Sequence, residues 1–119
     1  AFTRWDNGAP SDKPLFVLPA SEKLPTTYNL YMGGDFGETI LDTDRPELPN
    51  VLVFGDSFTN ALETLLYASF NEMHSLDLRY YTEQSLKDYI AAYQPDIVLC
   101  VQNDTFYYTE GGNNAVWVD

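Results

Sequence analysis

Histidine and cysteine are nearly absent from this chain, and basic residues are scarce. Its 119 residues include one cysteine, Cys100, and one histidine, His74. A single cysteine cannot close an internal disulfide, and Cys100 and His74 alone cannot build a metal cluster. Cys100 sits in the run Ile97-Val98-Leu99-Cys100-Val101, which predicts a small buried core residue. Lys and Arg number 6 against 18 Asp and Glu, for a formal net charge of −12. Such a surface repels phosphate backbones and argues against nucleic acid as a partner. The acidic residues are spread along the chain and read as a solvated surface. There is no D-x-D-x-D-G calcium loop, of which Asp42-Thr43-Asp44 is only a fragment, and no Gly-rich phosphate loop, so neither a metal nor a cofactor is expected. No apolar run approaches the ~20 residues of a membrane-spanning helix. A signal peptide is also missing, but Ala1 is not an initiator methionine, so this absence says little about location.

What is present is enough hydrophobic and aromatic residue, 45% and 15%, to build the core of one domain. The organising stretch is Val51-Leu52-Val53-Phe54-Gly55-Asp56-Ser57-Phe58. Val51 to Gly55 reads as a buried strand, β-branched and apolar. Gly55 gives a tight exit, and Asp56 and Ser57 are both good helix N-cap types. A helix is predicted over about 57–73, with Phe58, Leu62, Leu65, Leu66, Phe70 and Met73 on its inner face. A small polar residue thus stands where a core strand turns into a helix, the geometry of a nucleophile at the carboxyl end of a parallel strand. Gly-Asp-Ser is also ordinary turn chemistry.

Residues 1–14 read as an extended arm that Trp5 pins to the body. Leu15 to Leu18 is a short apolar run with strand character. Tyr28, Leu30 and Met32 alternate with polar neighbours and predict a strand, broken by Gly33-Gly34-Asp35-Phe36-Gly37. Thr39 to Leu41 suggests a return strand, in a hairpin or an irregular loop. Beyond the organising stretch, Leu76, Leu78 and Tyr80 alternate as a second strand. Thr82 is a credible cap for a helix at about 83–93, with Leu86, Tyr89, Ile90 and Tyr93 facing inward and Pro95 ending it. Ile97 to Val101 is apolar throughout and reads as a central strand. This βαβαβ order implies a parallel sheet. The tail, 105–119, reads equally as a last strand or a surface loop.

Two turns leave one edge of such a sheet, Gly55-Asp56-Ser57 and Gln102-Asn103-Asp104. In the doubly wound order 2-1-3 their strands are neighbours, so Ser57 and Asn103 share a crevice. The Ser57 backbone N–H and the Asn103 amide are then candidate donors to an oxyanion.

Gly55-Asp56-Ser57-Phe58 resembles block I of the SGNH (GDSL-like) hydrolases, and Gln102-Asn103-Asp104 resembles their Gly-x-Asn-Asp block, with Val101 in place of its glycine. The closer likeness is to the bacterial DHHW proteins and the alginate O-acetyltransferase-type SGNH domains. It rests on Tyr28 to Asp35, Gly55 to Phe58, Asp77-Leu78-Arg79-Tyr80-Tyr81 and Pro95-Asp96-Ile97-Val98, in that order. The resemblance covers about residues 28–104, between an arm (1–27) and a tail (105–119), in a single domain or a fragment of one. It implies an α/β fold: a three-layer, flavodoxin-like parallel sheet of SGNH type, incomplete here, with an N-terminal β-hairpin or irregular extension. It implies a serine esterase or O-acyltransferase acting on acylated carbohydrate, in the bacterial cell envelope or outside the cell. Ser57 matches the nucleophile, Ser57 and Asn103 the oxyanion donors, with Gly55, Asp56 and Asp104 in support. Gly33 and Gly34 are candidates for the block II glycine.

The departure from the family is the base. The family pairs its serine with an Asp-x-His motif upstream, which this chain does not have; Trp5-Asp6 does not replace it. His74 falls at the end of the predicted helix, roughly 24 Å along its axis from Ser57, and reads as a helix cap or surface residue. Unassisted serine is a weak nucleophile. Either a segment outside this sequence supplies the histidine or catalysis has been lost, with Asp56 or Asp104 as a poor base the least favoured option. The alternative function is a non-catalytic glycan-binding or structural module, with Tyr31, Tyr80, Tyr81, Tyr107, Tyr108 and Trp117 offering a sugar-stacking surface. A receiver-like domain is set aside, because the strand at 97–101 ends without an acceptor aspartate.

Overall fold

The computed structural model describes residues 1–107. The β-branched run Val51–Gly55 forms strand β4, with Val51, Leu52 and Val53 at 1% exposure or less. Strands β5 (Glu72–Asp77) and β6 (Ile97–Val101) flank it, both parallel to it. This is the 2-1-3 order expected for the parallel strands. Stepping out to β5 and then back past β4 to β6 places the two crossover helices on opposite faces. Helix α1 (Phe58–Leu66) sends Leu66 to the core of Val51, Val53, Met73, Leu41 and Met32. Helix α2 (Leu86–Tyr93) packs Tyr89, with Leu86, Ile90 and Tyr93, against Leu52 and Leu76 on the other face. The inner face of α2 is the one its periodicity predicts.

The sheet extends beyond the parallel core. Strand β3 (Glu38–Asp42) pairs antiparallel with β5, and β1 (Thr3–Asp6) pairs antiparallel with β3. Strand β2 (Ala9–Pro10) closes a hairpin on β1. The order in the six-stranded sheet is β2-β1-β3-β5-β4-β6. The fold is therefore α/β and SGNH-like, with a mixed rather than a purely parallel sheet. The N-terminal extension is a hairpin: within the expected arm, residues 3–6 and 9–10 are built into the sheet. Asn7 and Gly8 make this possible with positive φ at both turn positions, 49° and 77°, as a two-residue hairpin requires.

Other expectations are corrected. Tyr28–Leu30 is a short 3₁₀ turn rather than a strand, and Leu15–Leu18 makes only an isolated bridge, Phe16 to Tyr31. Thr39 to Leu41 is a strand, but its partners are β1 and β5. Helix α1 ends at Leu66 and a 3₁₀ turn spans Tyr67–Ser69, so Phe70 and Met73 reach the core from the connection and from β5. Strand β5 starts earlier than expected, and Leu78 to Tyr80 lie in a turn, with the Tyr80 N–H donating to the Asp77 carbonyl. Ser85, not Thr82, caps α2, its hydroxyl accepting from the Asp88 N–H at 3.1 Å. Strand β6 is the last strand of the sheet among the described residues, with Ile97 at 38% and Val98 at 43% exposure. Cys100 is accordingly exposed rather than buried. An all-apolar strand satisfies the composition of a central position without occupying one. The tail, read as a strand or a loop, enters a short helix α3 (Asp104–Tyr107) and otherwise lies outside the described residues.

The inner face of α1 is the largest departure. Its buried residues are Thr59, Asn60, Glu63 and Thr64, while Phe58 and Leu65 are 50% and 71% exposed. The sheet beneath explains this. Asp6, Thr39 and Ser75 stand in register across β1, β3 and β5. Ser75 donates its hydroxyl hydrogen bond to the Glu63 carboxyl. Asp6 accepts from Thr39 Oγ1 at 3.2 Å and from Arg4 Nε at 2.9 Å. A polar row on the sheet selects a polar helix face, because buried polar groups must find partners.

Candidate active site

Gly55 ends β4 where the chain passes closest to β6. A Cβ there would lie 1.7 Å from the Val101 carbonyl oxygen, so only glycine fits. Asp56 follows, 1% exposed. Its carboxylate ties two turns together: Oδ1 accepts the Phe58 N–H at 2.9 Å and Oδ2 accepts the Asn103 N–H at 2.7 Å. The residue expected only to support Ser57 is thus the tether between Ser57 and Asn103.

Ser57 takes the N-cap position of α1 with helical φ and ψ (−60°, −10°), and its side chain makes no capping hydrogen bond. Asp56 Oδ1 has taken over that duty. The Ser57 side chain is left half-buried at the rim, and its backbone N–H has no acceptor among the described residues. Asn103 is also half-buried. Its Oδ1 accepts the Thr105 N–H at 2.9 Å and the Thr105 hydroxyl at 2.7 Å. Those bonds fix which end of the amide is oxygen and leave Nδ2 without a partner among the described residues. The structure therefore puts Ser57 and Asn103 on one rim, on two turns that the Asp56 carboxylate joins, with the Ser57 hydroxyl and N–H and Asn103 Nδ2 uncommitted among the described residues. Asp104 opens α3 and is exposed.

A second set of polar residues at this rim went unread in the sequence. Asn60 lies one turn into α1 and donates to Asp35 Oδ1 at 2.9 Å and to the Gly34 carbonyl at 3.4 Å. Arg79 joins Asp35 Oδ2 at 2.9 Å to Asp77 Oδ2 at 2.6 Å. Hydrogen bonding to Asp77 holds the Arg79 guanidinium protonated beyond the usual arginine range. The Gly33-Gly34-Asp35 loop is thereby pinned against the start of α1 and the end of β5. Gly33 and Gly34, with φ of 78° and 123°, make the turn that brings Asp35 there. The signal lay in two motifs, Tyr28 to Asp35 and Asp77 to Tyr81, whose mutual contact only the fold reveals.

His74 is not at a helix end. It lies in β5, level with Leu52 of β4, three residues before the rim, or ~10 Å along the strand. Its neighbour Ser75 meets α1, so His74 points to the opposite face. There it stacks on Tyr93 with centroids 3.5 Å apart, and its Nδ1 is 2.6 Å from the Tyr89 hydroxyl. Burial pushes its pKa down to about 4, although the Glu72 carboxylate, 3.3 Å from Nε2, favours the charged ring. Burial prevails because Glu72 is partly solvated and its own pKa is raised, by desolvation and then by Asp42. His74 cannot serve Ser57. Burial, and then the charge of Asp56, also raises the Cys100 thiol, which disfavours its thiolate form.

No protein-family model and no curated protein matches the chain. Solved structures do. PatB1 of Bacillus cereus, solved with a sulfonyl adduct, is 30% identical over 72% of this chain and 29% of its own, with a TM-score of 0.63. A second PatB1 structure is 26% identical, with a TM-score of 0.73, over 93% of this chain and 37% of its own. A DHHW family protein from Eubacterium siraeum is 23% identical, with a TM-score of 0.71, over 96% of this chain and 38% of its own. The chain spans about a third of the length of each. It carries the SGNH-like α/β fold that these structures share, with the resemblance to DHHW and PatB1-type proteins extending over most of its length.

Proposed function

We propose that this chain is the nucleophile-bearing part of an SGNH-like serine esterase or O-acyltransferase that acts on acylated carbohydrate at the bacterial cell envelope. The observation that carries the reading is the Ser57 hydroxyl, uncommitted among the described residues at the strand–helix turn, with Asn103 on the neighbouring turn that Asp56 ties to it. Ser57 Oγ attacks the acyl carbonyl as a base takes its proton. The carbonyl oxygen becomes an oxyanion and is held by the two N–H donors. Collapse expels the sugar oxygen, which takes up the proton, and leaves an acyl-enzyme. Water or a second hydroxyl then accepts the acyl group.

The base in this scheme is a histidine from a segment outside the 119 residues, because His74 faces the other side of the sheet. On its own, the chain is expected to be inactive. The position of His74 also favours the second reading, a glycan-binding module that performs no chemistry.

Sulfonyl fluoride labelling, followed by peptide mapping, tests the proposal, with imidazole supplied as the missing base. Imidazole is expected to accelerate modification of Ser57 by about tenfold or more, and Ser57→Ala to remove the adduct. Modification no faster at Ser57 than at the other serines, at any imidazole concentration, contradicts it.

A further inference from the structure

The rim that carries Ser57 continues across the sheet. The Asp77 N–H donates to the Gly37 carbonyl at 3.0 Å, linking the end of β5 to the start of β3. Beyond β3 lies the Asn7-Gly8 turn. Between that turn and the segment after β5 is a cavity of about 490 Å³, lined by Asn7, Gly8, Gly37, Glu38 and residues 80–83. With strands ~4.8 Å apart, β3 and β1 lie ~10 and ~14 Å from β4.

We propose that this cavity is a subsite for uncharged sugar residues, placed so that a glycan bound there lies along the rim toward Ser57. The inference rests on the reading of Ser57 as acting on acylated carbohydrate, and adds where the rest of the glycan sits.

The walls are built and fixed. Tyr81 sets its ring edge-on to Tyr89, with centroids 5.7 Å apart at 84°. The Tyr89 hydroxyl donates to Glu38 Oε2 at 2.8 Å and holds that carboxylate in place. Asn7 Oδ1 accepts the Glu38 N–H at 3.0 Å, which leaves Asn7 Nδ2 without a partner among the described residues. At Gly37 a Cβ would come within 3.3 Å of Asn7 Oδ1 and of the Tyr80 and Tyr81 backbone, so the absent side chain lets the walls close in. At Gly8 a Cβ would meet nothing within 4 Å, so the mouth is open. Tyr80 is 57% exposed, with the Arg79 guanidinium carbon 5.0 Å from its ring centroid. That arginine is engaged by Asp77 and Asp35.

The chemistry of the lining selects the ligand. Tyrosine rings offer apolar faces to the C–H face of a pyranose. Asn7 Nδ2 and the Thr82 hydroxyl donate hydrogen bonds, and the Glu38 and Glu83 carboxylates accept them from sugar hydroxyls. No lysine or arginine lines the cavity. Two carboxylates without a cation repel uronates and phosphates. Among the described residues no group of His, Cys, Asp and Glu is arranged to hold a metal that would reverse this.

Titration calorimetry on the full chain with N-acetylchitohexaose and cellohexaose, against polygalacturonate and a chitosan hexamer, tests the subsite. The neutral oligosaccharides are expected to bind and the acidic one not to bind. Tyr80→Ala weakens neutral binding by about tenfold, and Tyr80→Phe restores it. The same titrations on Ser57→Ala keep the outcome independent of any reaction at Ser57, so the subsite and the nucleophile stand or fall separately. Absence of neutral binding, binding confined to the chitosan hexamer, or an affinity unchanged by Tyr80→Ala in a chain of unaltered circular dichroism overturns the proposal.

Discussion

Gly55 and His74 show opposite limits of reading single residues. Gly55 was legible as a tight exit, and the structure gives the reason in the Val101 carbonyl, which occupies the place a side chain would take. Gly55→Ala is therefore expected to cost at least about 3 kcal/mol, read as the shift in a urea unfolding midpoint. His74 was misplaced because the predicted helix ran too far and carried it out of β5. Its folded pKa of about 4 lies below the ordinary histidine value of 6.5. The unfolded chain therefore takes up the proton first as the pH falls. Stability contributed by the neutral ring is full above pH 6.5 and is lost between there and about pH 4, to a total of about 3 kcal/mol. The ring proton shifts of His74, followed by NMR, are expected to stay flat from pH 8 to near 5, and a midpoint near 6.5 contradicts the buried, stacked placement. Asp56 was named as a supporting residue, but its bridge from Phe58 to Asn103 needs both turns in space. Asp56→Asn substitutes an NH₂ for one acceptor oxygen and is expected to cost about 1–3 kcal/mol, with faster amide exchange at Asn103 than at residues in β4.

Helix α1 carries the lesson at the scale of elements. Its existence and its start at Ser57 were readable from a strand, a glycine and capping residues. Its buried face was not, because hydrophobic periodicity marks an apolar stripe whether or not the sheet opposite is apolar. Here the sheet opposite carries Asp6, Thr39 and Ser75, and Glu63 meets them. Burial raises the Glu63 carboxyl above its ordinary range, against hydrogen bonds from Ser75 and Thr59 that act the other way. The sign follows from this. The protonated acid is the form that folding favours, so the contribution of Glu63 is most favourable below the ordinary carboxyl pKa and declines as pH rises through the folded value. Glu63→Gln keeps the shape and the neutral state but cannot ionise. The variant is expected to gain stability relative to the parent as pH rises above the ordinary carboxyl range. Thermal melts of both chains from pH 4 to 8 measure the difference, and a gap that does not change with pH contradicts a buried titrating acid. Strand β6 teaches the same caution: its all-apolar composition indicates a central place, and among the described residues it ends the sheet.

For the whole molecule, the parallel βαβαβ unit was legible because each strand and helix carries its own signal: β-branched runs, an apolar face on α2, a proline after it. The antiparallel extension was not. It depends on a two-residue turn at Asn7-Gly8 and on β1 and β3 pairing across more than thirty residues of chain, which no local pattern encodes. Charge acts at this scale as well. With a net charge of −12, self-repulsion opposes the compact state, and added salt screens it. The melting temperature is expected to rise between 0.02 and ~0.3 M sodium chloride, where the Debye length falls to well under 10 Å, and scanning calorimetry at the two salt concentrations checks this. Two turns, from strands far apart in the chain, converge on one rim, where Asp56 ties the Ser57 turn to Asn103. A crystal structure of this chain with Ser57 sulfonylated in the presence of imidazole tests this convergence most directly. One sulfonyl oxygen is expected within hydrogen-bonding distance of both the Ser57 N–H and Asn103 Nδ2. A sulfonyl group turned to solvent, with Asn103 Nδ2 directed away from it, contradicts the account.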